Sequence, residues 1–265
     1  MELVMLGTGH AMVTRCFSTC FLLKDRGKAF LVDCGGGNAL LSQLAQTGTD
    51  LSCIEDVFIS HIHLDHILGV FWLLRCLAQM ARQGKGHMVR LYGNSNVLDT
   101  IKQVTALLLP GARPWLSKFV QMVYLEETSS QQILGRPVRF FALCALQTPQ
   151  HGFSLNLKQA QNFVFLGDIP YKEPLLPQLK DCTWLMHEAF CLEEDAERFH
   201  PRAIEHSTVV DAASLAERLK IPHCILTHAD DSDLANRAKR FSKEAQRVYH
   251  GEIYVPYDLE RINLL

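Results

Sequence analysis

Four side chains able to bind a metal ion crowd into one short run, Ser60-His61-Ile62-His63-Leu64-Asp65-His66. His61 and His63 are two residues apart, so in an extended turn both can aim at one centre. Asp65 and His66 follow where the chain bends, and can aim at a second. Neutral imidazole and carboxylate are the expected ligands of zinc and similar divalent ions, and a catalytic site leaves one coordination position to water. A polar turn with solvent-exposed histidines is the competing reading. The density of the His-x-His-x-Asp-His spacing, directly ahead of a very apolar stretch, argues against it. The chemistry implied is metal-assisted hydrolysis.

These residues need elements to position them. Asp56 to Ser60 reads as a strand that delivers the chain into the histidine run, and Ile67 to Arg82 has the length and composition of a helix. The run therefore sits on a strand-to-helix turn. The same alternation recurs along the chain. Strands are expected at Leu3 to Leu6, Ala29 to Val32, Val89 to Tyr92, Val138 to Leu146, Cys224 to Thr227 and near Ile253 to Pro256. Helices are expected at Asn38 to Gln46, Val97 to Leu108, Ser207 to Leu219 and Ser232 to Val248, and a hairpin at Phe153 to Leu157 with Phe163 to Leu166. Ser207 reads as an N-cap, which puts His206 at a helix entrance. His61, His151, Asp168, Glu188 and His228 all fall where an expected strand runs out, the place where layered α/β proteins build ligand sites.

Composition narrows the class. The 265 residues are 48% hydrophobic and 20% charged, which fits a folded chain of α/β type, read as one domain over 1–265 because no linker-like stretch divides it. A formal net charge of -2 gives no overall attraction to phosphate backbones or acidic membranes. The apolar stretch Ile67 to Leu74 is too short to span a bilayer, and no signal peptide is expected. Nine scattered cysteines without a Cys-x-x-Cys pair fit a reducing, cytoplasmic setting better than disulfides or structural zinc.

Taken together, Leu6-Gly7-Thr8-Gly9, Val32-Asp33-Cys34-Gly35, the histidine run, Leu166-Gly167-Asp168, His187-Glu188-Ala189-Phe190, His206-Ser207-Thr208 and Leu226-Thr227-His228 resemble the metallo-β-lactamase superfamily, and within it the ribonuclease Z-like branch. The resemblance implies a four-layered αβ/βα sandwich and a dinuclear hydrolase, most simply a phosphodiesterase. His61, His63 and His151 would hold one metal, Asp65, His66 and His228 the other, with Asp168 bridging. Zinc is the first expectation, and the same ligands accept manganese or iron. Two such ions can share a hydroxide and lower its pKa. Asp65 would help orient or deprotonate the attacking water, and Asp33 would orient a ligand histidine or simply cap a turn. His206, partnered by Glu188, would assist the leaving group. His10 could line the site, whereas His87, His187, His200, His223 and His250 read as surface or core residues.

The chain departs from ribonuclease Z in two respects, the first being a second loop that reads Cys34-Gly35-Gly36-Gly37-Asn38 where ribonuclease Z usually has an acidic residue followed by Gly-Thr. Between His151 and Asp168 there is room only for a hairpin, not for the protruding tRNA-gripping arm that ribonuclease Z carries there. The expected substrate is therefore a small or cyclic phosphodiester, or an RNA end. Hydrolysis of a lactone, ester or thioester on the same site, and a non-catalytic metal-binding role, are the alternatives. Arg113-Pro114-Trp115 and Lys118-Phe119 could form a substrate-side wall or a homodimer contact, with ordinary surface helices the simpler reading.

Overall fold

The computed structural model describes residues 1–158 and 160–265. Strands β1 (Glu2–Gly7), β2 (Cys20–Asp25), β3 (Lys28–Val32), β4 (Ile54–Phe58), β5 (Val89–Gly93) and β6 (Val120–Tyr124) build a first sheet. Strands β7 (Thr128–Ile133), β8 (Arg136–Ala142), β9 (His151–Lys158), β10 (Gln161–Phe165), β11 (Cys182–Glu188), β12 (His223–Thr227) and β13 (Glu252–Tyr254) build a second. Strand β14 (Arg261–Asn263) returns to the first sheet beside β1. Each sheet joins antiparallel neighbours to a parallel set, β3 to β6 in one and β10 to β13 in the other. The helices are α1 (Ala39–Gln46), α2 (Leu64–Arg82), α3 (Ser95–Leu108), α4 (Arg113–Phe119), α5 (Ala196–Phe199), α6 (Val209–Arg218) and α7 (Leu234–Ala245).

The strand sequences explain the layers. In β1, Leu3 and Met5 join one apolar cluster while Val4 and Leu6 join another, and in β10 Phe163 and Phe165 part from Val164 in the same way. A strand buried on both faces reads as a continuous apolar run. The shared cluster lies between the sheets, where Phe153 touches Phe30, Phe58, Phe140, Phe163 and Phe165 with ring centroids 5.4 to 6.0 Å apart. The other two clusters lie under the helices. The architecture is the expected αβ/βα sandwich.

Several local expectations shift. Helix α2 begins at Leu64, so Asp65 and His66 lie in its first turn and not ahead of it. At 19 residues it is long and apolar enough by composition to cross a membrane, which the shorter stretch read from sequence did not suggest. Its Ile67, Val70, Leu73, Leu74 and Leu77 are instead packed in the core. Thr208, not Ser207, caps α6. Its hydroxyl accepts from Asp211 N and the Asp211 carboxylate accepts from Thr208 N, while Ser207 N is taken by Glu188. Strand β8 stops at Ala142, and His151 opens β9, which runs antiparallel to β10 and so presents its first residue at the edge where β10 ends. Strands β2, β6, β7 and β14 lacked a clear sequence signal. β7, Thr-Ser-Ser-Gln-Gln-Ile, is a polar edge strand, and β14 is only three residues long.

Candidate metal centre

The centre begins with Asp33, just past β3. Asp33 takes a left-handed conformation (φ 55°), which Asp tolerates better than most residues, and its carboxylate is fully buried. Oδ1 accepts from Ser60 N at 2.8 Å, and Oδ2 accepts from His66 Nδ1 at 2.8 Å. The Ser60 hydroxyl lies 2.8 Å from Asp33 Oδ2 and 3.0 Å from His61 Nδ1. A carboxylate can only accept, so the hydroxyl donates to Asp33 and accepts from His61 Nδ1–H. One buried acid thereby sets the tautomers of two histidines, leaving the Nε2 lone pairs of His61 and His66 directed away from it. Gly69 makes the docking possible: a Cβ there would overlap the Cys34 carbonyl, and Gly69 N donates to Gly35 O at 2.9 Å.

Those lone pairs converge on Asp168, carried just beyond the end of β10. Asp168 Oδ2 lies 3.4 Å from His61 Nε2, 3.5 Å from His66 Nε2 and 3.6 Å from His228 Nε2. Asp65 Oδ2 lies 3.3 Å from both His66 Nε2 and His228 Nε2. His228, directly after β12, is also left-handed (φ 55°). Among the described residues three groups of donor atoms result: His61 with His66 and Asp168, Asp65 with His66 and His228, and Glu188 with His206 and His228. His63 and His151 stand beside these groups and not in them. The exposed His63 ring is 4.4 Å from that of His61. His151 is buried, is fastened by its own N–H to Ser60 O at 3.0 Å, and donates from Nε2 to Glu126 O at 2.9 Å, so its unpartnered Nδ1 carries the lone pair.

The donor set fits a pair of divalent cations. His61 Nε2, His66 Nε2, His151 Nδ1 and Asp168 Oδ1 are buried without a hydrogen-bond partner, and three buried carboxylates, Asp33, Asp65 and Asp168, share the neighbourhood. Unpaired buried acceptors and uncompensated negative charge are both unfavourable, and cations relieve both. Burial pushes the His61 pKa down, favouring the neutral ligand form. Burial also opposes charge on His66, but Asp65 and Asp33 outweigh it and push its pKa up, which registers the same demand for positive charge.

Beside the cluster, His206 Nδ1 donates to Glu188 Oε2 at 3.0 Å, and Glu188 Oε1 accepts from Ser207 N. The His206 ring lies 5.2 Å from that of His228 and stacks on Phe190 at 5.0 Å. Burial lowers the His206 pKa, but the hydrogen bond and charge of Glu188, with Asp168, reverse the direction to a net rise. His10 packs against Phe190, its ring 4.4 Å from that one and 6.3 Å from that of His228.

With this geometry in place, the comparisons with known proteins become specific. The family model described as Anti-Pycsar protein Apyc1 matches residues 1–250. The chain belongs to the Apyc1 family. Ribonuclease Z of Halalkalibacterium halodurans is 26% identical over 94% of this chain and 94% of its own length. Among solved structures, the metallo-β-lactamase fold protein YhfI from Bacillus subtilis superposes with a TM-score of 0.81 at 18% identity, covering 98% of each chain. Human tRNase Z, short form, superposes with a TM-score of 0.75 at 21% identity, covering 100% of each. The Apyc1-family chain thus has the metallo-β-lactamase fold. Sequence reasoning missed Ser60 as the relay between Asp33 and His61, although its place directly before His61 was the available signal. It also missed Lys172 and Glu205, which no motif marks. Lys172 Nζ donates to Cys144 O at 2.6 Å and Glu205 Oε1 at 3.0 Å, tying down the segment that leads into His206.

Proposed function

We propose that this metal-dependent hydrolase cleaves small phosphodiesters, linear or cyclic, or RNA ends. The observation that carries the reading is the His206–Glu188 pair, a charge-supported proton donor set one ring away from the metal ligands. His61, His63, His151 and Asp168 would hold one cation and Asp65, His66, His228 and Asp168 the other, with zinc favoured by the ligand types. When bound, such a pair supplies a water of lowered pKa and offsets charge developing on the phosphoryl oxygens.

The chain's own residues do the rest. Asp65 orients the attacking water and accepts its proton. As the water oxygen bonds to phosphorus, the bond to the leaving oxygen breaks, its electron pair stays on that oxygen, and His206 delivers a proton from Nε2. Glu188 holds the Nδ1–H and stabilises the charged ring that makes the transfer possible. The ribonuclease Z and tRNase Z relatives support phosphodiester chemistry in general. The short β9–β10 hairpin favours substrates smaller than tRNA, and nine free thiols favour a reducing, cytoplasmic setting.

The test is turnover by the metal-loaded protein of bis-p-nitrophenyl phosphate, a nucleoside 3′,5′-cyclic phosphate and a simple lactone. His206→Ala is expected to lower kcat on the cyclic phosphate by about 10²- to 10⁴-fold. The loss on bis-p-nitrophenyl phosphate is smaller, since nitrophenolate departs without a proton. Hydrolysis of the lactone alone, indifferent to His206→Ala, would overturn the reading in favour of ester chemistry.

A further inference from the structure

The donor group of Glu188, His206 and His228 stands apart from the ligands proposed for the metal pair and shares only His228 with them. A ring nitrogen of each histidine and a carboxylate oxygen of Glu188 lie within 4.8 Å of one another. In the same three residues, His206 Nδ1 and Glu188 Oε2 are 3.0 Å apart, near the roughly 3.3 Å that separates two ligands held about 2.0–2.1 Å from a tetrahedral zinc. His228 turns Nε2 to Asp65 and Asp168, the side on which the pair would use it. Its Nδ1 is buried with no hydrogen-bond partner among the described residues. The ring therefore has a second nitrogen to offer. Glu188 is fully buried and His228 nearly so, whereas His206 is partly exposed and gives an ion a way in from solvent.

Two imidazoles and one carboxylate suit zinc, whereas magnesium and calcium favour oxygen ligands throughout. An imidazole nitrogen binds a metal only when it carries no proton, so an ion taken up here releases the proton that joins His206 Nδ1 to Glu188. With that proton in place, the His206 ring passes from cation to neutral as its Nε2–H goes to the leaving oxygen. With an ion on Nδ1 in its stead, the ring is already neutral and would have to become an anion to give up the same proton. It is then a far weaker acid.

We propose that Glu188, His206 and His228 form a third, inhibitory zinc site, filled when zinc exceeds the catalytic pair, and that its occupation silences the proton donor. The inhibition rests on the phosphodiesterase reading, whereas the site itself does not. The first readout is zinc stoichiometry, measured by equilibrium dialysis of the full chain. Wild type is expected to hold two tight equivalents and a weaker third. The third should weaken at least about tenfold in Glu188→Gln and in His206→Ala, while the first two remain. His206→Ala, at the partly exposed position, carries the test if Glu188→Gln fails to fold. The second readout is turnover by wild type loaded with two equivalents. Excess zinc is expected to lower kcat on a nucleoside 3′,5′-cyclic phosphate at least about tenfold, and far less on bis-p-nitrophenyl phosphate, whose leaving group needs no proton. Magnesium at the same concentration should change neither. A third equivalent that is absent, or that survives both substitutions, overturns the site. A third equivalent lost in both variants, but with the two diesters inhibited equally or not at all, overturns the silencing of His206. If neither diester is turned over, the function reading fails, while the dialysis still decides the site.

Discussion

At the scale of single residues, Asp33 shows how one buried carboxylate can orient two histidines of a candidate metal centre. It fixes the Nδ1 protons of His66 directly and of His61 through Ser60, so both rings offer Nε2. Asn tolerates the same left-handed backbone, but its amide N–H₂ would face the His66 Nδ1–H as donor against donor. Asp33→Asn is therefore expected to weaken metal binding about 10- to 100-fold, measured by competition with a chromogenic chelator, while the fold persists. His10 offers a pH prediction. Burial, helped by His228, lowers its pKa to about 4 against the opposing pull of Asp230. The unfolded chain, with His near 6.5, binds more protons between those values, so acidification through pH 6.5 to 4 favours unfolding and the loss levels off below 4. The contribution is at most about 3 kcal/mol. Chemical denaturation across this window should show a shallower loss of stability in His10→Asn than in wild type, and parallel slopes would sink the assignment.

At the scale of elements, the loops at the strand ends matter most, because each functional side chain sits on one. The segment Pro201–Ile204 is bounded by left-handed His200 (φ 49°) and Glu205 (φ 59°), and Glu205 is held by Lys172 Nζ and Leu146 N. This clamp places the residue before His206. Lys172→Met is expected to lower kcat about 3- to 10-fold on a diester with a poor leaving group, with KM and thermal midpoint little changed and activity restored by Lys172→Arg. A fall in thermal midpoint with kcat unchanged would mean that the clamp only stabilises the fold. The capping of α6 belongs to the same scale. Ser207 and Thr208 are both capping types, Ser the better of the two, yet Glu188, reaching over from β11, accepts from Ser207 N and Thr208 caps the helix.

The whole molecule is two sheets joined face to face by phenylalanine, with the histidine and aspartate donor groups at the strand ends. Phe153 contacts aromatic rings from both sheets. Phe153→Ala is expected to cost about 3–5 kcal/mol in urea denaturation, far more than removal of any exposed side chain. Chelating the metals should lower the thermal midpoint as well, because Asp33, Asp65 and Asp168 would then remain buried with less positive charge around them.

The sequence by itself determined the histidine run, the order of strands and helices around it, and the identity of His151, Asp168, His206 and His228 as residues at element ends. These are local properties: side-chain type, spacing, and the period of apolar residues. Long apolar strands such as β1 and β10 announced themselves because both of their faces are buried. Polar β7 and the three-residue β14 did not, since their pairing depends on neighbours distant in the chain. Only the tertiary structure decided which nitrogen of His61, His66 and His151 is free, that Ser60 relays Asp33 to His61, and that Lys172 braces the segment ahead of His206. Each of those depends on groups brought within about 3 Å from separate elements, and hydrogen-bond geometry at that range is set by packing and leaves no periodicity in the chain to read.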